Sequence, residues 1–251
     1  MMSRPTALLM DFGGVLVDAT SADPAPADLV ERLHRLVAGA VPMDSIAQAL
    51  TDGANAYARW RDTDGNRESS TELSHDEVWE RFVTGSWPAP ARTAVRREAT
   101  ALSYAWTRRA DWTLRPGIAE VLAVAAADRT PVAVVSNTLC GAAHRDFLDR
   151  VGLSDRFAAQ LYSDEAGIRK PNPELARRAA RALDVPIGQC WFVGDSHDRD
   201  ITCARLAGAG AAVLMRSRRT DRERPARAAA PDAVVADGHE LVRLLAGVSD
   251  R

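Results

Sequence analysis

Asp11 follows four apolar residues, Ala7-Leu8-Leu9-Met10, and precedes Phe12-Gly13-Gly14-Val15-Leu16. The apolar run is too short for a helix and suits a strand buried on both faces of a parallel sheet. Asp11 would then stand at the C-terminal end of that strand, the side of an open α/β sheet on which ligands bind. Gly13 and Gly14 let backbone come close to a ligand, and Gly14 is the expected phosphate-binding position of the pair. Two further apolar runs end in polar residues: residues 131–135 deliver Ser136 and Asn137, and residues 190–193 run into Gly194-Asp195-Ser196. Each of these types has a use if the ligand is a phosphate ester. Asp11 can attack phosphorus and form an aspartyl-phosphate, dividing hydrolysis into two easier steps. Ser136, with the neighbouring Asn137, can hold phosphoryl oxygens. Asp195 and Asp200, with Asp198 between them, offer hard oxygen ligands suited to Mg²⁺, which would bridge nucleophile and phosphoryl group.

Lys170 carries a separate signal. The sequence holds 31 arginines and this one lysine, so wherever it needs only positive charge it uses Arg. An ammonium is a compact point charge that fits between carboxylates and a phosphoryl group where a planar guanidinium does not. Lys170 lies in Gly167-Ile168-Arg169-Lys170-Pro171, ahead of a helix whose start is marked by Asn172 as cap and Pro173 in the first turn.

These residues need a frame that brings them together. After Arg115-Pro116-Gly117 the pattern alternates helices with short apolar strands: helix 118–127, strand 131–135, a helix around 144–151, strand 157–162, a helix from Asn172, strand 190–193, a helix through Ala204 and Leu206, strand 211–215, strand 233–235 and helix 239–245. Such alternation predicts a doubly wound parallel α/β sheet. Between Asp18 and about Trp112 no buried strand is evident and the periodicity predicts four helices, the last from about 91 to 109. Ser74 and Glu77 form a capping box there. Five of the six tryptophans fall in this stretch and are expected mainly in its core, with one or two at a rim facing substrate. The helical stretch is therefore an insertion between the first strand and the rest.

Composition narrows the partners. A net charge of −2 from 32 basic and 34 acidic residues supplies no field for nucleic acid or an anionic membrane, so a small molecule is the expected partner. The arginine-rich stretch 216–227 also holds acids and a proline and reads as a solvated loop. Cys140, Cys190 and Cys203 lack metal-site spacing and fit reduced, buried thiols, and the run after Arg4 is interrupted too early for a signal peptide. The expectation is a cytoplasmic protein, with oligomeric state undetermined.

In order along the chain, Asp11-Phe12-Gly13-Gly14-Val15-Leu16, Val135-Ser136-Asn137, Lys170-Pro171 and Gly194-Asp195-Ser196-His197-Asp198-Arg199-Asp200 resemble the four motifs of the haloacid dehalogenase superfamily, in the branch with a helical cap inserted after the first motif. The resemblance implies a Rossmann-like core at residues 1–17 and 113–251 and a cap at 18–112. It implies Asp11 as nucleophile, Ser136 and Lys170 as phosphoryl ligands, and Asp11, Asp195, Asp200 and the Gly13 carbonyl around Mg²⁺. The activity it implies is phosphatase action on a small phosphorylated metabolite.

One position departs from the pattern. In most of the family's phosphatases the residue two after the nucleophile is a second Asp that protonates the leaving group, and here it is Gly13. General acid catalysis is worth about 10²–10⁴ in rate. Its loss predicts either a preference for good leaving groups, such as acyl or anomeric sugar phosphates, or an acid recruited from the cap side, Asp18 or His75. Two other readings stay open: a metal-independent 2-haloacid dehalogenase, and a non-catalytic module binding a phosphorylated ligand or a protein. The retained Asp195 and Asp200 weigh against the first, and the otherwise intact motifs against the second.

Overall fold

A computed structural model describes residues 2–19, 27–63, 65–223 and 230–248. The chain begins with β1 (Ala7–Met10) and β2 (Val17–Ala19), then runs through α1 (Ala27–Leu36), α2 (Met43–Asp62), α3 (His75–Trp79, prolonged by a π-turn over Glu80–Thr84), α4 (Ala89–Arg97) and α5 (Ala99–Thr107) to β3 (Trp112–Leu114). Alternation follows: α6 (Ile118–Ala127), β4 (Val132–Ser136), α7 (Gly141–Arg150), β5 (Ala159–Tyr162), α8 (Ser163–Ala166), α9 (Pro173–Ala182), β6 (Cys190–Gly194), a π-turn over His197–Ile201 leading into α10 (Thr202–Ala207), β7 (Ala211–Met215), β8 (Ala233–Val235) and α11 (Gly238–Ala246).

The main sheet has the order β5-β4-β1-β6-β7-β8, and every pairing in it is parallel. Successive strands build outward in one direction from β1 to β5, and in the other from β6 to β8. The order therefore reverses between β1 and β6, and in such sheets the crevice beyond the carboxyl ends at the reversal is where ligands bind. Register levels those ends, because Met10 lies opposite both Val134 of β4 and Val193 of β6.

The pleat sends alternate residues of β1 to opposite faces, and both are covered. Leu8 and Met10 pack with Val134, Trp191, Ile118 and Leu241, while Ala7 and Leu9 pack with Val135, Phe192, Leu175 and Ala204. This double burial is why β1 reads as an unbroken apolar run instead of an alternating one. The helices between β2 and β3 have a core of their own, including Leu33, Ile46, Leu50, Trp79 and Leu102. Among the described residues no helix is long and apolar enough to cross a membrane.

Three details differ from the sequence expectation. The single helix expected over about 91–109 is α4 and α5, separated at Glu98, whose backbone (φ −108°, ψ 8°) leaves the helical region. Val95 of α4 and Leu102 of α5 both belong to the core of the helical stretch. Second, β2 and β3 form an antiparallel ribbon pairing Val17 with Leu114 and Ala19 with Trp112, which joins the two ends of the helical stretch. Strands of three residues are too short to carry a period, so the sequence had no way to announce them. Third, the stretch read as a solvated loop is built into the structure as far as Glu223, as described below; residues 224–229 of that stretch, and Asp64 of the polar break after α2, lie outside the described residues.

Candidate active site

The strand ends bring Asp11, Lys170, Asp195 and Asp200 together. Lys170 Nζ lies 2.8 Å from Asp11 Oδ1 and 2.7 Å from Asp200 Oδ1, and it donates to the Val135 carbonyl at 2.7 Å. Burial alone would pull the ammonium down, but Asp11 and Asp200 outweigh it and hold the Lys170 pKa above its ordinary value. The lysine is positioned from both sides. Asn137 accepts from the Lys170 N–H (2.8 Å) and donates to its carbonyl (2.9 Å). Next to it, buried Arg169 pairs with Glu72 at 2.7 Å and stacks over Trp60, tying this segment to the helical stretch.

Ligand oxygens of Asp11, Asp195 and Asp200 all lie within 4.8 Å of one another. Burial and the neighbouring carboxylates push Asp195 well above the usual carboxyl range, and burial raises Asp200 as well. All three line the cavity, and Asp11 is the most exposed: its side chain is 13% exposed, against 5% for Asp195 and 2% for Asp200. That difference separates a carboxylate able to meet a substrate from two that can serve as ligands. The donor set, three hard oxygen donors with one ammonium among them, fits a divalent cation such as Mg²⁺.

Glycine makes the crowding possible. A Cβ on Gly194 would lie 2.1 Å from Asp200 Cβ, and one on Gly14 would lie 2.0 Å from Asp195 Oδ2. Gly194→Ala is therefore expected to cost about 1–3 kcal/mol of stability in denaturant unfolding and to displace Asp200. Gly188→Ala, whose Cβ would meet nothing nearer than 3.8 Å, is the matched control and is expected to be silent.

Other expected site residues divide. Ser136 is buried at the end of β4 and lines the cavity over the acids, as do Asn137 and Gly13. The Asn137 side chain is occupied by the Lys170 main chain, so its direct service is to position the lysine. Gly14 requires a correction as a phosphate-binding position. Its N–H donates to the Val17 carbonyl, its own carbonyl accepts from Arg115, and its φ of +76° turns it against Asp195, so it supplies room and no donor.

Several residues were missed from sequence. Arg115, buried, clamps the loop after β1 to the far side of the sheet, donating to Gly14, Arg216 and Ala236 carbonyls. The loop after β7 folds onto Asp195: Ser217 Oγ donates to its carboxylate at 2.5 Å and Thr220 Oγ1 to its carbonyl at 2.6 Å. Glu223 accepts from Ser196 Oγ and the His197 N–H. The available signal was positional, since β7 ends on the same edge as β1 and β6, but the arginines of this loop obscured it.

The cavity above the strand ends measures about 430 Å³, with Tyr57 and Arg61 of α2 and Trp106 of α5 opposite the acids, and Trp112 at the side. Neither acid suggested as a stand-in for position 13 lines it. Asp18 pairs with Arg115 at 3.3 Å. His75 bonds the Leu139 carbonyl at 2.8 Å and Thr100 at 3.0 Å. His144 does line the cavity, stacked on Phe12, but burial drives its pKa down to about 3, so at neutral pH it is uncharged.

Comparison with known proteins agrees with this geometry. Residues 5–208 match the profile of the haloacid dehalogenase-like hydrolases. The chain is 31% identical over 184 residues to a phosphoserine phosphatase of Thermus thermophilus, covering 66% of this chain and 72% of that one. It is 30% identical over 175 residues to a phosphoglycolate phosphatase of Pectobacterium atrosepticum, covering 68% and 70%. The HAD-hydrolase YfnB from Bacillus subtilis, solved bound to magnesium, superposes with a TM-score of 0.61 at 18% identity over 98% of this chain and 99% of that one, a likeness of fold.

Proposed function

We propose, for a chain that belongs to the haloacid dehalogenase-like hydrolase family, a Mg²⁺-dependent phosphatase that acts on a small phosphorylated metabolite through an aspartyl-phosphate at Asp11. The observation that carries this reading is the buried meeting of three carboxylates and one ammonium at a sheet reversal. Such a cluster keeps unbalanced negative charge, which a divalent cation would offset while leaving Asp11 facing the cavity. Residues 18–112 are proposed as a cap over a core of residues 1–17 and 113–251.

In the first step an Asp11 carboxylate oxygen bonds to phosphorus as the ester P–O bond breaks, and the leaving oxygen departs with the electron pair. Lys170 lowers the repulsion between that carboxylate and the incoming phosphoryl oxygens, and Ser136 holds one of them. Mg²⁺ held by Asp11, Asp195, Asp200 and the Gly13 carbonyl would supply charge neutralisation and alignment. In the second step water attacks the acyl phosphate, releasing inorganic phosphate and restoring Asp11. No second carboxylic acid stands ready at position 13 to protonate the leaving oxygen, which favours esters with good leaving groups.

The test is phosphate release from a panel of phosphorylated metabolites with Mg²⁺ and with chelator. Metal-dependent release supports the reading; halide release from a 2-haloacid in chelator overturns it. Cation binding is also expected to appear as stability. At a concentration 100 times Kd, a ligand adds about 2.7 kcal/mol, or roughly 5–10 °C in Tm for a chain of this size. Asp200→Asn is expected to abolish that Mg²⁺ response.

A further inference from the structure

Arg61 stands out among the cations of the cavity because, among the described residues, no hydrogen bond or ion pair holds its guanidinium. Arg109 is held by Asp111 through two bonds, at 2.9 and 3.1 Å. Arg199 and Arg219 both approach Asp62, at 3.5 and 4.0 Å, and Arg219 also lies 3.9 Å from Asp195. Arg169 has Glu72. Arg61, on the last turn of α2, makes no hydrogen bond or ion pair among the described residues, and its Nε is buried without a partner. Its guanidinium lies 5.0 Å from the centroid of the Tyr57 ring, one turn earlier on the same helix, which orients the fork.

An unpaired guanidinium in such a place is costly. Burial is the main cause that pulls its pKa down; Arg199 and Arg169 add to it, while Tyr57 and the adjacent Asp62 oppose it. A fold that keeps it there has a reason to do so if an anion arrives with the ligand. The two ends of the cavity therefore make complementary demands: the strand ends hold the proposed phosphoryl-binding machinery, and α2 presents a forked cation that makes no ion pair among the described residues. The volume of about 430 Å³ sits near the small end of ligand sites and allows only a short spacer between them.

We propose that Arg61 binds a second anionic group on the substrate, a carboxylate or a second phosphate at the far end of a short phosphate ester. This rests on the phosphatase reading above and names the substrate class within it. A fork of N–H donors meets either group with two parallel hydrogen bonds.

The experiment compares three esters of one chain length: 3-phosphoglycerate, 1,3-propanediol bisphosphate and 1,3-propanediol monophosphate. Wild-type kcat/KM is expected to favour one or both of the first two over the third by about 10²-fold, the scale of one charge-assisted contact. In Arg61→Met that ratio falls toward one, chiefly through KM, and Arg61→Lys recovers part of it. The Tm of ligand-free Arg61→Met is expected to stay level or rise, since a half-buried charge that makes no ion pair among the described residues has been removed. A lowered Tm with an equal loss of turnover on all three esters would make Arg61 a structural arginine and overturn the proposal. Calorimetric binding of the same esters to Asp11→Asn separates the two layers of inference. Equal binding of charged and uncharged esters sinks the Arg61 site even if all are hydrolysed by the wild type. An Arg61-dependent preference in binding, with no wild-type hydrolysis of these esters or of p-nitrophenyl and acyl phosphates, whose leaving groups need no proton, sinks the phosphatase reading and leaves the anion site standing.

Discussion

Asp11→Asn and Lys170→Met are both expected to lower phosphate release by roughly 10⁴-fold or more, yet to move stability in opposite directions. Asparagine at position 11 removes one acid from a cluster of three mutually close carboxyl groups, and it leaves the 2.7 Å pair between Lys170 and Asp200 in place. The variant should melt at or above the wild-type temperature in the absence of metal. Methionine at position 170 does the reverse: it leaves three mutually close carboxylates without their ammonium and the Val135 carbonyl without its donor. Removing one partner from a buried ion pair costs about 3–5 kcal/mol, or roughly 6–20 °C for a chain of this length. Added Mg²⁺ should restore part of that loss, because a cation can replace the missing charge in stability though not its contact with the phosphoryl group. Lys170→Arg should fail to rescue turnover, since a planar fork does not fit where the ammonium reaches Asp11, Asp200 and Val135 at once. Thermal unfolding of the metal-free proteins, paired with phosphate release, checks all of this. Equal destabilisation of the two variants would show that the cluster is not electrostatically frustrated and would remove the physical basis for a cation there.

The parts of this site that sequence could reveal are those whose physics is local. The strand ends were legible because β1, β4 and β6 are buried on both faces and so appear as unbroken apolar runs, each ending in a polar residue. Asn172 as a cap, with its side chain accepting from the Glu174 N–H, and the Ser74–Glu77 capping box were legible because each closes within one helical turn. Lys170 was legible through composition: one lysine among so many arginines marks a place where shape matters. What escaped depends on distance along the chain. Nothing near Arg115 announces that its guanidinium will reach Gly14, Arg216 and Ala236. Ser217 and Thr220 are ordinary loop residues until β7 is placed beside β6, which aims the loop after it at Asp195. Gly14 was misjudged for a related reason. Its type correctly signalled close approach, but what approaches is the Asp195 side chain, and only the folded sheet decides that.

Gly13→Asp is expected to change which substrates this protein can turn over. The absence of an acid at this position is not imposed by space. A Cβ on Gly13 would meet no heavy atom within 4 Å, its φ lies outside the left-handed range, and the residue lines the cavity two positions after Asp11. Gly14 next to it could not accept a side chain at all, since its Cβ would overlap Asp195. Neither candidate from the cap side is free for the role, because Asp18 is paired with Arg115 and His75 is bonded outside the cavity, while burial holds His144 neutral with a pKa of about 3. Alkyl phosphates, whose alkoxides are poor leaving groups without a proton, should therefore gain most from a new carboxyl, up to about 10²–10⁴-fold in kcat. p-Nitrophenyl phosphate, whose phenolate departs unprotonated, should gain little. The readout is the dependence of log kcat on leaving-group pKa, steep for the natural sequence and shallow for Gly13→Asp. The variant's rate on alkyl esters should also decline as pH rises through the pKa of the new carboxyl, because only its protonated form can donate. Gly13→Ala separates the effect of filling the space from that of supplying the proton, and should leave the steep slope unchanged. Parallel lines of equal slope for all three proteins would mean that the leaving oxygen is already protonated by a group outside the described residues or by solvent, and that Gly13 sets no preference.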